Sequence, residues 1–134
     1  RKINIHFNFE ENHQLINASN VVGVLEGTDK KDEYIFITGH YDHLGLGYDH
    51  NSLDANPEGK IHNGADDNAS GTSGVIELAN YFNNNGIKEA HNFLFLCFSG
   101  EELGLIGSKK FTEYPTIDLT KVSLEASGML DGGR

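Results

Sequence analysis

The stretch EYIFITGH, residues 33–40, decides the fold. It is a nearly continuous apolar run, which is typical of a strand buried on both faces of a sheet. HNFLFLCFS, residues 91–99, has the same character and predicts a second buried strand. Between the two strands, residues 70–83 carry apolar side chains at helical spacing, namely Val75, Leu78, Ala79 and Phe82. A strand, a helix and a strand in this order predict a right-handed crossover and a parallel strand pair.

Further elements flank this unit. Residues 3–9 alternate apolar and polar side chains, and residues 20–27 form another short apolar run, so both are predicted strands. GEELGLIGSKKF, residues 100–111, leads into a second helix. We therefore predict an α/β fold, an α/β/α sandwich with a mixed, largely parallel central sheet. With 134 residues there is room for one core, and we expect a single domain over residues 1–134.

The charge balance limits the classes of partner. Asp and Glu total 20 against 10 Lys and Arg, and the formal net charge is −10. This charge disfavours nucleic acid and anionic membranes as partners and favours cations. No apolar run approaches the ~20 residues of a spanning helix, and no signal-peptide core opens the sequence. The single cysteine, Cys97, excludes an internal disulfide and is expected to be a buried, unreactive thiol.

Acidic and histidine side chains follow the predicted strands or precede the helix between them. They are His40 and Asp42 after the first buried strand, Asp66 and Asp67 before the helix, and Glu101 and Glu102 after the next strand. Sites in open α/β sheets form at the carboxyl ends of the strands. Carboxylates gathered there need either raised pKa values or bound cations. Imidazole with carboxylates suits zinc, whereas oxygen ligands alone suit calcium or magnesium.

Each of these segments also has an ordinary structural interpretation. Residues 66–68 fit a turn with a helix N-cap, residues 101–102 fit acids at a helix start, and His40 alone fits a capping or surface histidine. The long polar loop 44–64 is either functional or disordered. Three of the other histidines are expected to be polar loop residues, namely His43, His50 and His62, and no function is expected for His6, His13 and His91. The combination of His, Asp and Glu at adjacent strand ends favours a metal site over these separate interpretations.

Three motifs carry a family resemblance. GHYDHLG (39–45), NGADDNASG (63–71) and FSGEELGLIGS (98–108) occur in the order and spacing of the M28 zinc peptidases, which include aminopeptidases with two co-catalytic zinc ions. The sequence resembles this family over roughly residues 18–111. SGTSGV, residues 70–75, does not fit the G-x-S-x-G pattern of serine hydrolases, because Val75 occupies the last glycine position.

The resemblance implies a role for each residue of the first two motifs. His40 matches a metal ligand, and Asp42 matches the acid that orients its imidazole. Asp67 matches the aspartate that bridges the two zinc ions, and a cis peptide bond is implied between Asp67 and Asn68. Asp66 is not expected to be a ligand.

The third motif supplies the catalytic acid–base group. The resemblance implies that Glu101 is the general base and that Glu102 is a zinc ligand. A further aspartate ligand is expected near the end of the sequence, after a strand that is poorly marked here. Asp131 is the nearest candidate, and Glu125 is a weaker one. The family's last histidine ligand lies further downstream, so we interpret the sequence as the first part of a catalytic domain with an incomplete site.

In the complete protein the resemblance implies a zinc-dependent aminopeptidase. Glu101 would activate a metal-bound water to hydrolyse N-terminal peptide bonds of peptide or aminoacyl substrates, with two Zn²⁺ as cofactors. The resemblance also implies export to the periplasm or the outside of the cell. Two alternatives are a mono-zinc enzyme of the glutaminyl cyclase type, which the presence of His40 disfavours, and a non-catalytic scaffold or receptor module. The joint presence of His40, Asp67, Glu101 and Glu102 disfavours the latter.

Overall fold

The structure is a computed structural model that describes residues 6, 15, 17–28 and 30–127, without the side chains of residues 30–32 and 127. The predicted strand at residues 3–9 and the candidate ligand Asp131 lie outside the described residues.

Four strands form one mixed sheet. They are β1 (Val21–Leu25), β2 (Lys30–His40), β3 (His91–Phe98) and β4 (Val122–Ser127). Their order in the sheet is β1-β3-β2-β4. β2 runs parallel to both of its neighbours, and only β1 runs antiparallel to β3. The predicted parallel pairing of residues 33–40 with residues 91–99 is confirmed, as is the mixed, largely parallel sheet.

A helix covers each face of the sheet. α1 spans Gly71–Asn84 and α2 spans Ile106–Glu113. Alternate side chains of β3 enter two separate apolar layers, because successive residues of a strand point to opposite faces. Leu94 and Leu96 are fully buried with Phe36 and with Phe111 of α2. On the other face the buried layer is Ile37, Val75, Phe93 and Phe95, with Val75 contributed by α1. The predicted α/β/α sandwich is therefore present.

Two elements differ from the sequence prediction. Leu78 of α1 is 41 % exposed, because only the narrower stripe of Val75, Ala79 and Phe82 meets the sheet. The segment at 122–127 is a strand, with a register irregularity near Val122, although its sequence, VSLEAS, marks one poorly. It pairs in parallel with β2, for example Ile35 with Leu124. The strand is therefore specified by backbone pairing with its neighbour and not by the pattern of its own side chains.

No helix within residues 17–28 and 30–127 combines the length and the apolar character needed to cross a membrane.

Candidate metal centre

The sheet brings the three motif segments to one edge. His40 and Phe98 are register partners at the ends of the parallel strands β2 and β3, and the Tyr41 N–H donates to the Phe98 carbonyl at 3.0 Å. The chain therefore leaves both strands at the same place. The Thr72 hydroxyl, in the first turn of α1, donates to the His40 carbonyl at 2.7 Å. This bond ties the segment that precedes α1 to the same edge.

His40 is buried and has one ring nitrogen without a hydrogen bond. Its Nδ1 lies 3.2 Å from the backbone carbonyl of Asp42, and because a carbonyl only accepts, Nδ1 carries the hydrogen. In a neutral imidazole Nε2 then has a free lone pair. Asp67 Oδ1 lies 3.0 Å from Nε2, but the pair lacks hydrogen-bond geometry and Nε2 stays unsatisfied. A buried nitrogen lone pair beside a carboxylate oxygen fits the ligand set of a zinc ion.

Asp67 lies in an irregular turn that precedes α1. The backbone angles of Asp67 and Asn68 are not helical, and the peptide bond between them is cis, as the resemblance implies. The Asn68 side chain is buried and accepts the Gly71 N–H at 3.0 Å, so it caps the first residue of α1. The Asp67 carboxylate is half exposed and faces the open side of the site. Asp66 is exposed, and its carbonyl accepts the hydroxyl of Ser70.

Asp42 contacts the third motif more closely than it contacts His40. Its Oδ1 is 3.7 Å from His40 Nδ1, which is too long for a hydrogen bond. Its two carboxylate oxygens accept the backbone N–H groups of Glu101 at 3.1 Å and Glu102 at 3.2 Å. The carboxylate therefore fixes the turn that carries both glutamates. The predicted orienting action of the Asp42 side chain on His40 stays a prediction.

Glu101 and Glu102 begin a tight turn between β3 and α2. The Glu101 carbonyl accepts the N–H groups of Gly104 and Leu105, both at 2.9 Å. Burial raises the pKa of the Glu101 carboxyl above its ordinary value; nearby His40 opposes the rise, and Glu102, Asp67 and Asp42 add to it. Cations held by the neighbouring acids would lower this pKa again, because positive charge favours the carboxylate.

His43 also lies at this edge, although the sequence does not predict it there. The side chains of His43, Asp67 and Glu102 offer ligand atoms that all lie within 4.8 Å of one another. His43 Nδ1 is 2.6 Å from Glu102 Oε1. The sequence predicts an ordinary polar loop residue at His43, and the only signal for a role in the site is its position directly after Asp42 in the first motif.

The family comparison covers the segments that form this edge. Peptidase family M28 matches residues 20–133, which contain all three motif segments. The chain belongs to peptidase family M28.

Several named relatives align with most of this chain. It is 33% identical over 119 residues to a probable zinc metalloprotease of Pyrenophora tritici-repentis, with 87% of this chain and 24% of the relative aligned. It is 31% identical over 102 residues to a vacuolar membrane protease of Verticillium alfalfae, covering 75% of this chain and 8% of the relative. Aminopeptidase YwaD of Bacillus subtilis is 29% identical over 98 residues, or 72% of this chain and 18% of the relative. The chain thus spans a quarter or less of the length of these proteins.

The M28 domain has a cleft beside the predicted ligands. It has a volume of about 250 Å³, and His40, Glu101 and Glu125 are among its lining residues. Glu125, the weaker of the two candidates for the aspartate position, lies on β4 and is exposed. The stronger candidate, Asp131, is outside the described residues.

His62, in the loop 44–64, forms its contacts with other residues of that loop. Its Nε2 lies 2.8 Å from the Ser52 hydroxyl and its Nδ1 lies 3.0 Å from the Lys60 carbonyl. Its backbone also bridges to Gly45. This agrees with the prediction of a polar loop residue. The loop itself is folded: Lys60 donates to both carboxylate oxygens of Asp54 at 2.8 Å.

Proposed function

We propose that the complete protein is a zinc-dependent aminopeptidase that hydrolyses N-terminal peptide bonds. The observation that carries this proposal is the buried Nε2 of His40, which has no hydrogen bond and lies 3.0 Å from Asp67 Oδ1. A surface or capping histidine would satisfy both ring nitrogens with water or protein groups. A metal ligand keeps one nitrogen free for the ion.

The ligand set that we propose comprises His40, Asp67 and Glu102, with Asp131 as a further ligand. We propose two ions, because the two oxygens of the Asp67 carboxylate can each serve one site. The half-exposed position of that carboxylate, between His40 and the pair of His43 and Glu102, supports a bridging role. Bound Zn²⁺ supplies a Lewis acid that polarises a carbonyl and lowers the pKa of a coordinated water.

Glu101 is the general base in this proposal. It takes a proton from the water whose oxygen attacks the scissile carbonyl carbon, and it delivers that proton to the leaving amine as the C–N bond breaks. Its side chain lines the cleft beside His40, and its backbone is fixed by the Asp42 carboxylate. A base held in this way keeps its position between the two proton transfers.

A free amino terminus is the substrate feature that the site favours. Several carboxylates line one edge of a chain with a formal net charge of −10, and such a field attracts a protonated amine. The relative in Bacillus subtilis is named an aminopeptidase, which agrees with this substrate class. Export of the protein, which the resemblance implies, stays a prediction that cell fractionation can check.

The test uses the full-length protein with aminoacyl chromogenic substrates and their N-acetylated counterparts. We expect hydrolysis of the free amine forms, little hydrolysis of the acetylated forms, loss of activity with a zinc chelator and recovery with added zinc. Equal hydrolysis of both forms would point to an endopeptidase instead. Zinc-independent hydrolysis, or no hydrolysis by zinc-loaded protein across a broad panel of side chains, would contradict the proposal.

A further inference from the structure

We infer that His43 is a positioning residue that holds the Glu102 carboxylate ready for metal binding. This inference rests on the proposed function, because it concerns a residue that we propose as a zinc ligand. It adds a part to the site that neither the sequence motifs nor the comparisons assign. His43 follows Asp42 directly; Asp42 contacts the backbone of Glu102, and His43 contacts its side chain.

The contact between His43 and Glu102 is short and shielded. His43 Nδ1 lies 2.6 Å from Glu102 Oε1, and the two side chains are 22% and 17% exposed. A carboxylate only accepts, so the imidazole donates from Nδ1. A nitrogen that carries this hydrogen has no lone pair for a metal ion. Through Nδ1, His43 therefore acts on Glu102 as a hydrogen-bond donor, and the second carboxylate oxygen, Oε2, would bind the ion.

The backbone of Gly64 packs against the side chain of His43. Gly64 has a φ of +61°, and a Cβ built on it would lie 2.7 Å from both Cβ and Cγ of His43. The imidazole is therefore packed against the Gly64 backbone. Gly64 also opens the turn that carries Asp67, since its carbonyl accepts the Ala69 N–H at 3.0 Å. His43 thus sits between the turn that carries Asp67 and the turn that carries Glu102.

The main chain of Glu102 is fixed independently of His43. Its N–H donates to Asp42 Oδ2 at 3.2 Å, and its carbonyl accepts from Asn51 Nδ2 at 2.9 Å. The remaining freedom of Glu102 is the rotation of its side chain, and His43 restricts that rotation. Outer hydrogen-bond partners of metal ligands typically contribute about 10–100-fold to metal affinity. We expect a contribution of this size from His43.

The experiment measures zinc affinity of the full-length protein by competition with a chromophoric chelator. His43→Ala should weaken zinc binding about 10–100-fold. His43→Asn should bind nearly as the parent does, because the asparagine amide can donate from about the position of Nδ1. His43→Gln, whose amide reaches the position of Nε2 instead, should behave like His43→Ala. The matched control is His50→Asn. His50 is an exposed loop histidine, and asparagine tolerates its φ of +58°.

A second variant tests the same contact without changing His43. Gly64→Ala places a methyl group 2.7 Å from Cβ and Cγ of His43 and 2.9 Å from the Asp67 carbonyl oxygen, so zinc binding should weaken at least as much as in His43→Ala. Because alanine is also strained at positive φ, circular dichroism and thermal unfolding of the metal-free proteins must show that each variant is folded. Should Gly64→Ala fail to fold, the His43 series decides alone.

The outcomes separate this inference from the proposed function. If His43→Ala binds zinc as tightly as the parent while Glu102→Gln loses zinc, His43 has no positioning role and the proposed site stands. If His43→Asn is as weak as His43→Ala, and X-ray absorption shows one nitrogen ligand fewer, His43 is a direct ligand and the inference is wrong. If Glu102→Gln itself binds zinc with parental affinity, the proposed ligand set fails.

Discussion

His40 Nε2 lies 3.0 Å from Asp67 Oδ1, and no hydrogen bond joins the two atoms. The residues are 27 positions apart in the sequence, on the end of β2 and on the turn before α1. Their backbones are tied through Thr72, whose hydroxyl donates to the His40 carbonyl. The fold therefore places close together a nitrogen and an oxygen that we propose as metal ligands.

Removing this nitrogen should remove metal. We expect His40→Ala in the full-length protein to retain less zinc than the parent after dialysis, because the site loses an imidazole ligand, which suits zinc. Inductively coupled plasma mass spectrometry measures the bound metal. His50→Asn, on the exposed loop, serves as the control and should keep the parental content. Equal zinc content in His40→Ala and the parent would exclude His40 as a ligand.

Side chains of the inner strand β3 should contribute strongly to the free energy of unfolding. Leu94 is fully buried in β3, and truncating a buried leucine typically costs about 2–5 kcal/mol of the free energy of unfolding. We expect Leu94→Ala to lower the urea midpoint accordingly when the metal-free protein is unfolded. Leu53→Ala is the matched control, because Leu53 is 90% exposed and surface substitutions usually change stability by less than about 0.5 kcal/mol. Equal effects of the two substitutions would contradict the assigned core.

The thiol of Cys97 should react slowly. Burial raises the pKa of the Cys97 thiol, and the thiolate is the reactive form. At a pH below this raised pKa the thiolate fraction is smaller than that of an ordinary thiol, so the rate of alkylation should rise only at higher pH than usual. Iodoacetamide labelling followed by mass spectrometry across pH 7–10, in native and urea-unfolded protein, measures the shift. Superimposable pH profiles for the two states would contradict it.

The sequence predicts the centre of this fold well, for a physical reason. Residues 33–40 and 91–99 are apolar because they are buried on both faces, and this pattern needs no knowledge of distant residues. The carboxyl ends of parallel neighbours meet at one edge, so the positions of His40 and Glu101 follow from the strand assignment. The position of Asp67 follows less directly, because its turn has irregular backbone angles. The family resemblance indicates this turn, and the periodicity of the sequence does not.

Other features depend on distant partners, so the sequence marks them weakly or not at all. The strand character of 122–127 comes from pairing with β2, and its own side chains are mostly exposed. His43 appeared to be a loop residue because its partner, Glu102, is 59 positions away. The Asp42 carboxylate was expected to face His40, but it forms its closest hydrogen bonds with the backbone of Glu101 and Glu102. No local pattern specifies which rotamer such side chains adopt.

The most direct test of the account compares Glu101→Gln with Glu102→Gln in the full-length enzyme. Glutamine keeps the shape of Glu101 but cannot accept a proton, and general acid–base groups typically contribute about 10²–10⁴-fold to the rate. We predict that Glu101→Gln lowers kcat by at least that range and keeps the parental zinc content, whereas Glu102→Gln loses zinc. The control is Glu77→Gln, because Glu77 is an exposed residue of α1. This variant should match the parent in both measurements. Loss of zinc from Glu101→Gln with retention by Glu102→Gln would show that the two roles are reversed, and full activity with parental zinc in both variants would contradict the proposed mechanism.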